Sequence, residues 1–518
     1  MSRVKQILAL ILVSCFALTL VACGGDDAKK TDTTTAKPTN AAVAVGQSTT
    51  AEGETTTTTG GKVNNKSDKT TTTTKRQNVK KVPDLRNLVA RTKSPASSFT
   101  KSLKGFTLKI LYPWENIYGN RKCQTYAEKA IATVEKQYGV KISEKGQFAR
   151  YSDSLSAEFA ANKFDNHIYY AYNSDFASYF SKGYLSDLTP AMRETGTTFT
   201  ERWYISEARN FLNIDGKQYG WIAAEDEYTL PFCIIYNSKL LKQKNLADPA
   251  QLAAKGQWTW DKLEEYAKKF KNDANTGFYC GSSTMLLTAI ANQYGTTLTK
   301  VKKGAQPTTN INDSKVKTAL DTLRTWTVGK GAWATPSIGN QWTAPKNALR
   351  EGKVAMYYGT HDDIKELASS SDNSIYGIAP FPNKTASKSY TGVSVPQFIG
   401  IIPKKWSSDV AKIVFIRDEY YRQNDVYTDR NFQYKWETYL GDQEAIDNAA
   451  DIKYARNGNR IIFDWTSICE TGKTQTGTII GQVVKGSKTA AQAISANKNA
   501  LVAAYKKVWD GHKTTGNV

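Results

Sequence analysis

Aromatic and acidic side chains follow the predicted strands near the start of the ordered part of this 518-residue chain. Trp114 and Glu115 come directly after one strand pattern, and Asn173 and Asp175 follow the next. In sheets of parallel strands, side chains that follow the carboxyl ends gather at one edge, where ligands bind. A flat ring can stack on a ligand, while carboxylates and amides form hydrogen bonds with it. The pattern therefore predicts noncovalent binding of a small polar molecule.

Sequence patterns typical of catalysis or metal binding are scarce. The chain has no HExxH, GxSxG, P-loop or GxGxxG motif. Its three histidines lie far apart in sequence, and its cysteines have no zinc-ligand spacing. We expect neither a metal nor a cofactor. Four cysteines after residue 23 can form disulfides or remain buried thiols: Cys123, Cys233, Cys280 and Cys469.

The amino terminus has the pattern of an exported lipoprotein. A basic segment with Arg3 and Lys5 precedes an uncharged, mostly apolar run at 7–22. This run is shorter than the about 20 residues of a membrane-spanning helix. Small residues and then Cys23 follow, which resembles the lipobox of bacterial lipoproteins. The resemblance implies a signal peptide over 1–22, a lipid on Cys23 and a position on the extracellular face of the cell membrane.

Residues 23–103 form a Thr-rich, basic segment with almost no aromatic residues. Such a composition buries too little apolar surface to offset the entropy of ordering, so we predict a disordered tether that spans roughly 50 Å. Its basic part can also contact lipid headgroups. The whole chain has a formal net charge of +21, and acids are interleaved with the basic residues after the tether. We interpret that charge as a solvated surface beside anionic envelope polymers, without nucleic-acid binding.

Alternating strand and helix patterns begin near residue 105. A β-prone run at 106–112, a helix at 125–138 and a strand at 167–172 are typical of α/β units with a largely parallel sheet. Further on, a short apolar strand at 232–236 precedes a helix whose N-cap is predicted to be Thr259. The composition, 40% hydrophobic and 11% aromatic, is sufficient for a large core.

Several short motifs resemble, in their order over about residues 105–510, the family 1 extracellular solute-binding proteins. These proteins serve ABC importers of sugars and include maltose-binding protein. The matching segments are Tyr236-Asn-Ser-Lys-Leu-Leu241, Asp248-Pro249, Trp258-Thr-Trp-Asp261, Glu351-Gly-Lys-Val-Ala-Met356, Gly377-Ile-Ala-Pro-Phe-Pro382 and Lys488-Thr-Ala-Ala-Gln-Ala-Ile494.

The resemblance implies a type II periplasmic-binding-protein-like fold of class α/β. Each of its two lobes would be a mixed sheet flanked by helices, with the ligand cleft at the hinge. The chain would cross between the lobes near 228–232 and 390–395, and again after a helix at 410–421. Ligand contacts with both lobes would favour a closed state that an ABC permease reads. The implied lobes are 104–230 with 382–425 at the amino-terminal side, and 231–381 with 426–518 at the carboxyl-terminal side.

The resemblance also indicates further ligand-binding candidates. Acids before the first hinge strand commonly face the cleft in this family, although one of them can simply be solvated. The family often places an aromatic residue after the Ala-Met strand, where this chain has a histidine flanked by Tyr357 and Tyr358. A late tryptophan fits either the cleft or the core. The added candidates are Glu225, Glu227, Tyr228, His361, Asp362 and Trp465.

Three functions are compatible with these patterns. The first is capture of a carbohydrate, in particular an oligosaccharide, by a monomeric receptor that performs no chemistry and delivers its ligand to ABC permease subunits. The second is a secreted carbohydrate-active enzyme, since a pair of carboxylates can hydrolyse a glycoside. The third is a surface adhesion protein, which only the long Thr-rich segment supports.

The residues assigned to the sheet edge are also open to another interpretation, because Ser174 or Asp175 could cap a helix.

Overall fold

The computed structural model describes residues 99–114, 121–197, 211–222, 231–272, 276–302, 305–336, 343–368, 375–396, 398–423, 451, 458–470 and 475–515. All of them belong to one compact unit. The signal peptide, Cys23 and nearly all of the predicted tether lie outside the described residues, as does the segment after 423 that was predicted to cross between lobes.

Strands and helices alternate through most of the described chain. The strands are β1 (Thr107–Tyr112), β2 (Lys141–Gly146), β3 (Ile168–Tyr172), β4 (Asn213–Ile214), β5 (Lys217–Gln218), β6 (Trp221–Ile222), β7 (Cys233–Asn237), β8 (Phe278–Cys280), β9 (Thr299–Lys300), β10 (Thr308–Thr309), β11 (Ala334–Thr335), β12 (Met356–Gly359), β13 (Tyr376–Ala379), β14 (Thr391–Ser394), β15 (Phe398–Ile401) and β16 (Arg460–Phe463).

The helices lie between and after these strands. They are α1 (Arg121–Tyr138), α2 (Tyr151–Ala161), α3 (Asn173–Ser181), α4 (Thr189–Thr195), α5 (Ser238–Gln243), α6 (Pro249–Ala254), α7 (Trp260–Phe270), α8 (Ser283–Gln293), α9 (Ser314–Thr327), α10 (Thr343–Arg350), α11 (His361–Ala368), α12 (410–423), α13 (Thr466–Cys469), α14 (Gln475–Val484) and α15 (Ala490–Thr515).

Two mixed sheets organise the described residues. The first has the order β2-β1-β3-β15-β6, with β1 parallel to β2 and β3 and with β15 antiparallel to both of its neighbours. The second has the order β11-β8-β12-β7-β13, in which β7 runs antiparallel to β12 and β13. The prediction of an α/β fold with a mixed sheet in each half is confirmed.

Alternation along β1 and β3 directs side chains into two different cores. Ile110 and Tyr170 belong to a cluster that α12 completes on one face, whereas Leu111 and Tyr169 belong to a larger cluster on the other face. This is the two-residue periodicity expected of strands that are covered on both faces. Both faces of the first sheet are therefore covered by buried side chains.

The motifs that carried the family resemblance interact with one another. The buried Trp258 donates its indole N–H to the Pro380 carbonyl at 2.9 Å, and Trp260 N donates to the Asn383 carbonyl at 2.9 Å. The Tyr236 hydroxyl donates to Asp248 at 2.5 Å, and the same carboxylate caps α6. These motifs thus fix α6 and α7 against the second sheet.

Helix α7 begins close to its predicted start but not by the predicted contact. Thr259 occupies the N-cap position, and Leu263, Tyr266 and Ala267 are buried as the periodicity indicates. The Thr259 side chain forms no capping hydrogen bond. The backbone pairing of Thr259 with Asn383 fixes the helix start, so a long-range contact replaces the local cap.

Helix α15 connects the carboxyl-terminal segment with the first half of the chain. It packs against α14 and also against α3. Near its end, His512 stacks on Phe180 with ring centroids 4.0 Å apart, and its Nε2 lies 2.9 Å from the Tyr219 hydroxyl. Among the described residues, no helix is long and apolar enough to cross a membrane.

Candidate functional site

Trp114 lies at the carboxyl edge of the first sheet, two residues beyond the end of β1. Its ring contacts Phe398, with centroids 4.7 Å apart, and Tyr112, with centroids 5.4 Å apart. Phe398 in turn pairs with Tyr172, the last residue of β3. Because Trp114 is only partly buried, part of its indole surface is left for a ligand.

Asp175 lies at the same edge, in the first turn of α3. Its carboxylate accepts hydrogen bonds from the Ser152 hydroxyl at 2.8 Å and from the Ser174 hydroxyl at 3.5 Å. Burial raises the pKa of Asp175, and these hydrogen bonds partly oppose the rise. The helix begins at Asn173 with Tyr172 in the N-cap position, so the structure does not support a capping role for Ser174 or Asp175.

A network of hydrogen-bonded, buried tyrosines lies next to this edge. The Tyr112 hydroxyl donates to Glu144 at 2.7 Å and lies 2.9 Å from the Tyr421 hydroxyl, which is itself 2.5 Å from that of Tyr170. Burial, and next the nearby Glu144 carboxylate, raise the pKa of Tyr112 well above its ordinary value. Sequence reasoning missed this network because its members come from β1, β2, β3 and α12, which are far apart in the chain.

The second sheet also directs candidates to its carboxyl edge. Strand β12 ends at Gly359, and α11 begins at His361, so the backbones of His361 and Asp362 lie just beyond a strand end. The side chains of these two residues lie outside the described part. The flanking Tyr357 and Tyr358 are fully buried, so their rings belong to the core of this lobe.

A buried acid fixes the turn between β12 and α11. Asp363 accepts hydrogen bonds from Thr360 N at 2.8 Å and from the Tyr357 hydroxyl at 2.9 Å. Lys346 lies 3.5 Å from the same carboxyl group, and both side chains are buried. Asp363 therefore fixes the backbone turn that carries His361, and a ligand-binding role of the neighbouring Asp362 stays a prediction.

Trp465 is mostly buried, with 8% of its surface exposed, and its ring lies 4.7 Å from that of Phe211. It lines a cavity of about 260 Å³ together with Asp464. Burial raises the pKa of Asp464 to about 6, while the Thr466 and Thr288 hydroxyls donate to its carboxylate. These contacts favour the core interpretation of Trp465, and a role in ligand binding stays a prediction.

A larger cavity, of about 590 Å³, lies at the opposite end of α3, where Phe180, Tyr219 and His512 line it. We do not assign the candidate site there. Phe180 is 1% exposed, and the His512 ring stacks on it, so it offers no free ring face to a ligand. At the carboxyl edge, by contrast, Trp114 retains exposed surface.

The two sheets meet through short strands. Phe232 forms an antiparallel bridge with Val393 in β14, and β14 pairs in parallel with β16. The bridge lies where the sequence predicted the first two crossings between lobes. Helix α13, which follows β16, packs against α3 and so lies beside the edge that carries Asp175.

Four candidates lie outside the described residues, namely Glu115, Glu225, Glu227 and Tyr228. In the described part of the chain, no group of three or more His, Cys, Asp or Glu side chains could hold a metal ion. Cys233, Cys280 and Cys469 are buried thiols there, which favours the second of the two interpretations of the cysteines.

These features define a class before any comparison. Two mixed sheets flanked by helices, with aromatic and acidic residues after the strand ends, are the architecture of a type II periplasmic-binding-protein-like receptor. A family model described as bacterial extracellular solute-binding protein matches residues 129–428. The chain belongs to this family of bacterial extracellular solute-binding proteins. No curated protein matches it by sequence.

Solved structures support the fold. The cyclic alpha-maltosyl-1,6-maltose binding protein from Arthrobacter globiformis has a TM-score of 0.55 at 13% identity, covering 78% of this chain and 99% of that one. The sugar-binding protein MalE from Xanthomonas citri has a TM-score of 0.54 at 14% identity, covering 78% and 98%. The galacto-N-biose-/lacto-N-biose I-binding protein from Bifidobacterium longum has a TM-score of 0.54 at 14% identity, also covering 78% and 98%.

Proposed function

We propose that the protein captures a carbohydrate, in particular an oligosaccharide, without altering it. The observation that carries this proposal is the edge formed by Trp114, Tyr172 and Asp175. It combines partly exposed aromatic surface with a half-buried carboxylate. A pyranose has an apolar face for the ring and hydroxyl groups for the carboxylate. The carbohydrate-binding names of the similar structures support the same ligand class.

Capture would occur by closure of two lobes over the ligand. The proposed lobes are those implied by the sequence, 104–230 with 382–425 and 231–381 with 426–518. One lobe would contribute Trp114 and Asp175, and the other His361 and Asp362 from the start of α11. A ligand that contacts both lobes stabilises the closed state because it binds that state more tightly than the open one.

We further propose that a lipid on Cys23 and the tether hold the receptor near an ABC permease on the extracellular face. The tether would let a monomeric receptor sample solute about 50 Å from the membrane and raise its effective concentration at the permease. In cells given an alkyne-tagged fatty acid, the full chain should become labelled and partition with membranes. The Cys23→Ser variant should do neither, and labelling of this variant would contradict the anchor.

A thermal-shift panel tests the ligand class. The full chain is heated with mono-, di- and longer oligosaccharides, with amino acids and short peptides as other solutes. An oligosaccharide present at 100 times its dissociation constant should stabilise the protein by about 2.7 kcal/mol, which raises the melting temperature by several degrees. A shift with peptides alone would contradict the carbohydrate assignment.

Chromatography of any stabilising sugar after overnight incubation with the protein separates capture from catalysis. Recovery of the sugar at its original length supports capture. Shortened products would support the carbohydrate-active enzyme instead.

A further inference from the structure

We infer that Phe148 is an additional carbohydrate-binding residue, one that extends the site along the rim of the first lobe and selects longer chains over single sugars. This inference rests on the proposed function. Phe148 lies in the turn between β2 and α2, and 68% of its surface is exposed, more than that of any other large apolar side chain in the described residues. A single exposed apolar side chain is common on protein surfaces, so the inference depends on the position of Phe148 beside the candidate site.

The turn that carries Phe148 is fixed to the candidate site at both of its ends. On one side, Gln147 N donates to the Tyr112 carbonyl at 3.0 Å, and the Tyr112 ring packs against Trp114. On the other side, the Ser152 hydroxyl donates to Asp175. Phe148 therefore lies on a short segment whose two attachments are the strand end and the acid that define the site.

Strand register places Phe148 and Trp114 after adjacent strand ends. Tyr112 pairs with Gly146 in the parallel ladder of β1 and β2. Trp114 and Phe148 each lie two residues beyond this pair, past the ends of two neighbouring strands that are about 4.8 Å apart. Both aromatic residues therefore follow adjacent strand ends at the same edge of the sheet, where one oligosaccharide could contact both.

Arg150, two residues after Phe148, has a backbone conformation that is unusual for a residue other than glycine. Arg150 has φ 54° and lies in the left-handed region, which costs a residue with a side chain about 1–2 kcal/mol. The Arg150 side chain is exposed and forms only a surface ion pair with Asp153, so the gain from that pair is small. The turn thus retains a strained backbone conformation two residues after the exposed Phe148.

Isothermal titration with a homologous series, from monosaccharide to hexasaccharide, tests the inference. The full chain is compared with Phe148→Ala and Phe148→Tyr, and Val502→Ala serves as a control that shortens another exposed apolar side chain, on α15. Phe148→Ala should weaken binding of the longer chains about tenfold and leave the shortest bound sugar unchanged. Phe148→Tyr and Val502→Ala should bind like the unaltered protein.

The outcomes separate the two proposals. Suppose that the unaltered protein binds sugars. If Phe148→Ala then binds sugars of every length like the unaltered protein, or loses affinity equally for every length, Phe148 does not select longer sugars. The proposed function stands in either case. If the unaltered chain binds no member of any carbohydrate series, both proposals are wrong. Since Phe148 is exposed, all variants should melt at the temperature of the unaltered protein.

Discussion

Replacement of Trp114 by alanine is expected to weaken carbohydrate binding by about 30-fold or more while the protein stays folded. The ring is partly exposed at the carboxyl edge and braced by Tyr112 and Phe398. A braced aromatic ring loses little conformational freedom when a ligand stacks on it, so its removal is costly. Truncation of such an anchor typically costs about 2 kcal/mol or more, which corresponds to that loss of affinity.

Trp406 provides a matched control in the same lobe. It is also partly buried, packs 4.4 Å from His167 and donates its indole N–H to the Asn166 carbonyl at 2.8 Å. These contacts place it at the amino end of β3, opposite Trp114. Trp406→Ala should lower the melting temperature without changing affinity for a bound sugar. If both variants bind as the unaltered protein does, Trp114 is not part of the site.

Gly400→Ala is expected to destabilise the protein by about 3 kcal/mol or more. Gly400 lies in β15, where a Cβ atom would come within 2.1 Å of Cε2 of the Trp221 ring. Trp221 is 2% exposed, and the Arg417 guanidinium lies 4.8 Å from its ring centre, so the ring has little room to move. Overpacking of this kind costs about 1–3 kcal/mol and sometimes more.

Chemical denaturation of two further variants tests that explanation. Gly481→Ala in α14 meets no atom within 4 Å and should stabilise the protein slightly, because alanine favours a helix by about 1 kcal/mol over glycine. Combining Gly400→Ala with Trp221→Leu should cost less than the sum of the single changes, because the smaller side chain makes room for the methyl group. Strict additivity would show that the contact with Trp221 is not the cause.

The strands and the sheet edge could be predicted because their signals are local. Alternation of apolar residues identified β1 and β3, and the residues that follow them, Trp114 and Asp175, lie at one edge as the strand-end rule indicates. The partners of these residues could not be predicted. Ser152, which donates to Asp175, and Phe398, which packs against Trp114, come from other segments, and a single sequence carries no signal of such contacts.

Other sequence signals were ambiguous for a physical reason. A tryptophan after an aspartate is compatible with cleft or core, and only packing distinguishes them, as the burial of Trp465 illustrates. The motif Trp258-Thr-Trp-Asp261 predicts a helix start, which is correct, but its tryptophans also form long-range hydrogen bonds with the 380–383 segment. No sequence pattern indicated that Phe148 is exposed, because an isolated aromatic residue in a polar turn is expected to be buried.

Equilibrium dialysis followed by mass spectrometry tests the central claim most directly. The full chain is dialysed against an equimolar mixture of mono- to hexasaccharides. The retained sugars are released by denaturation, and their molecular masses are measured. The account predicts about one oligosaccharide per protein, at its original mass, with much less retained by Trp114→Ala. Retention no greater than for a protein that does not bind sugars, or release of shortened products, would contradict it.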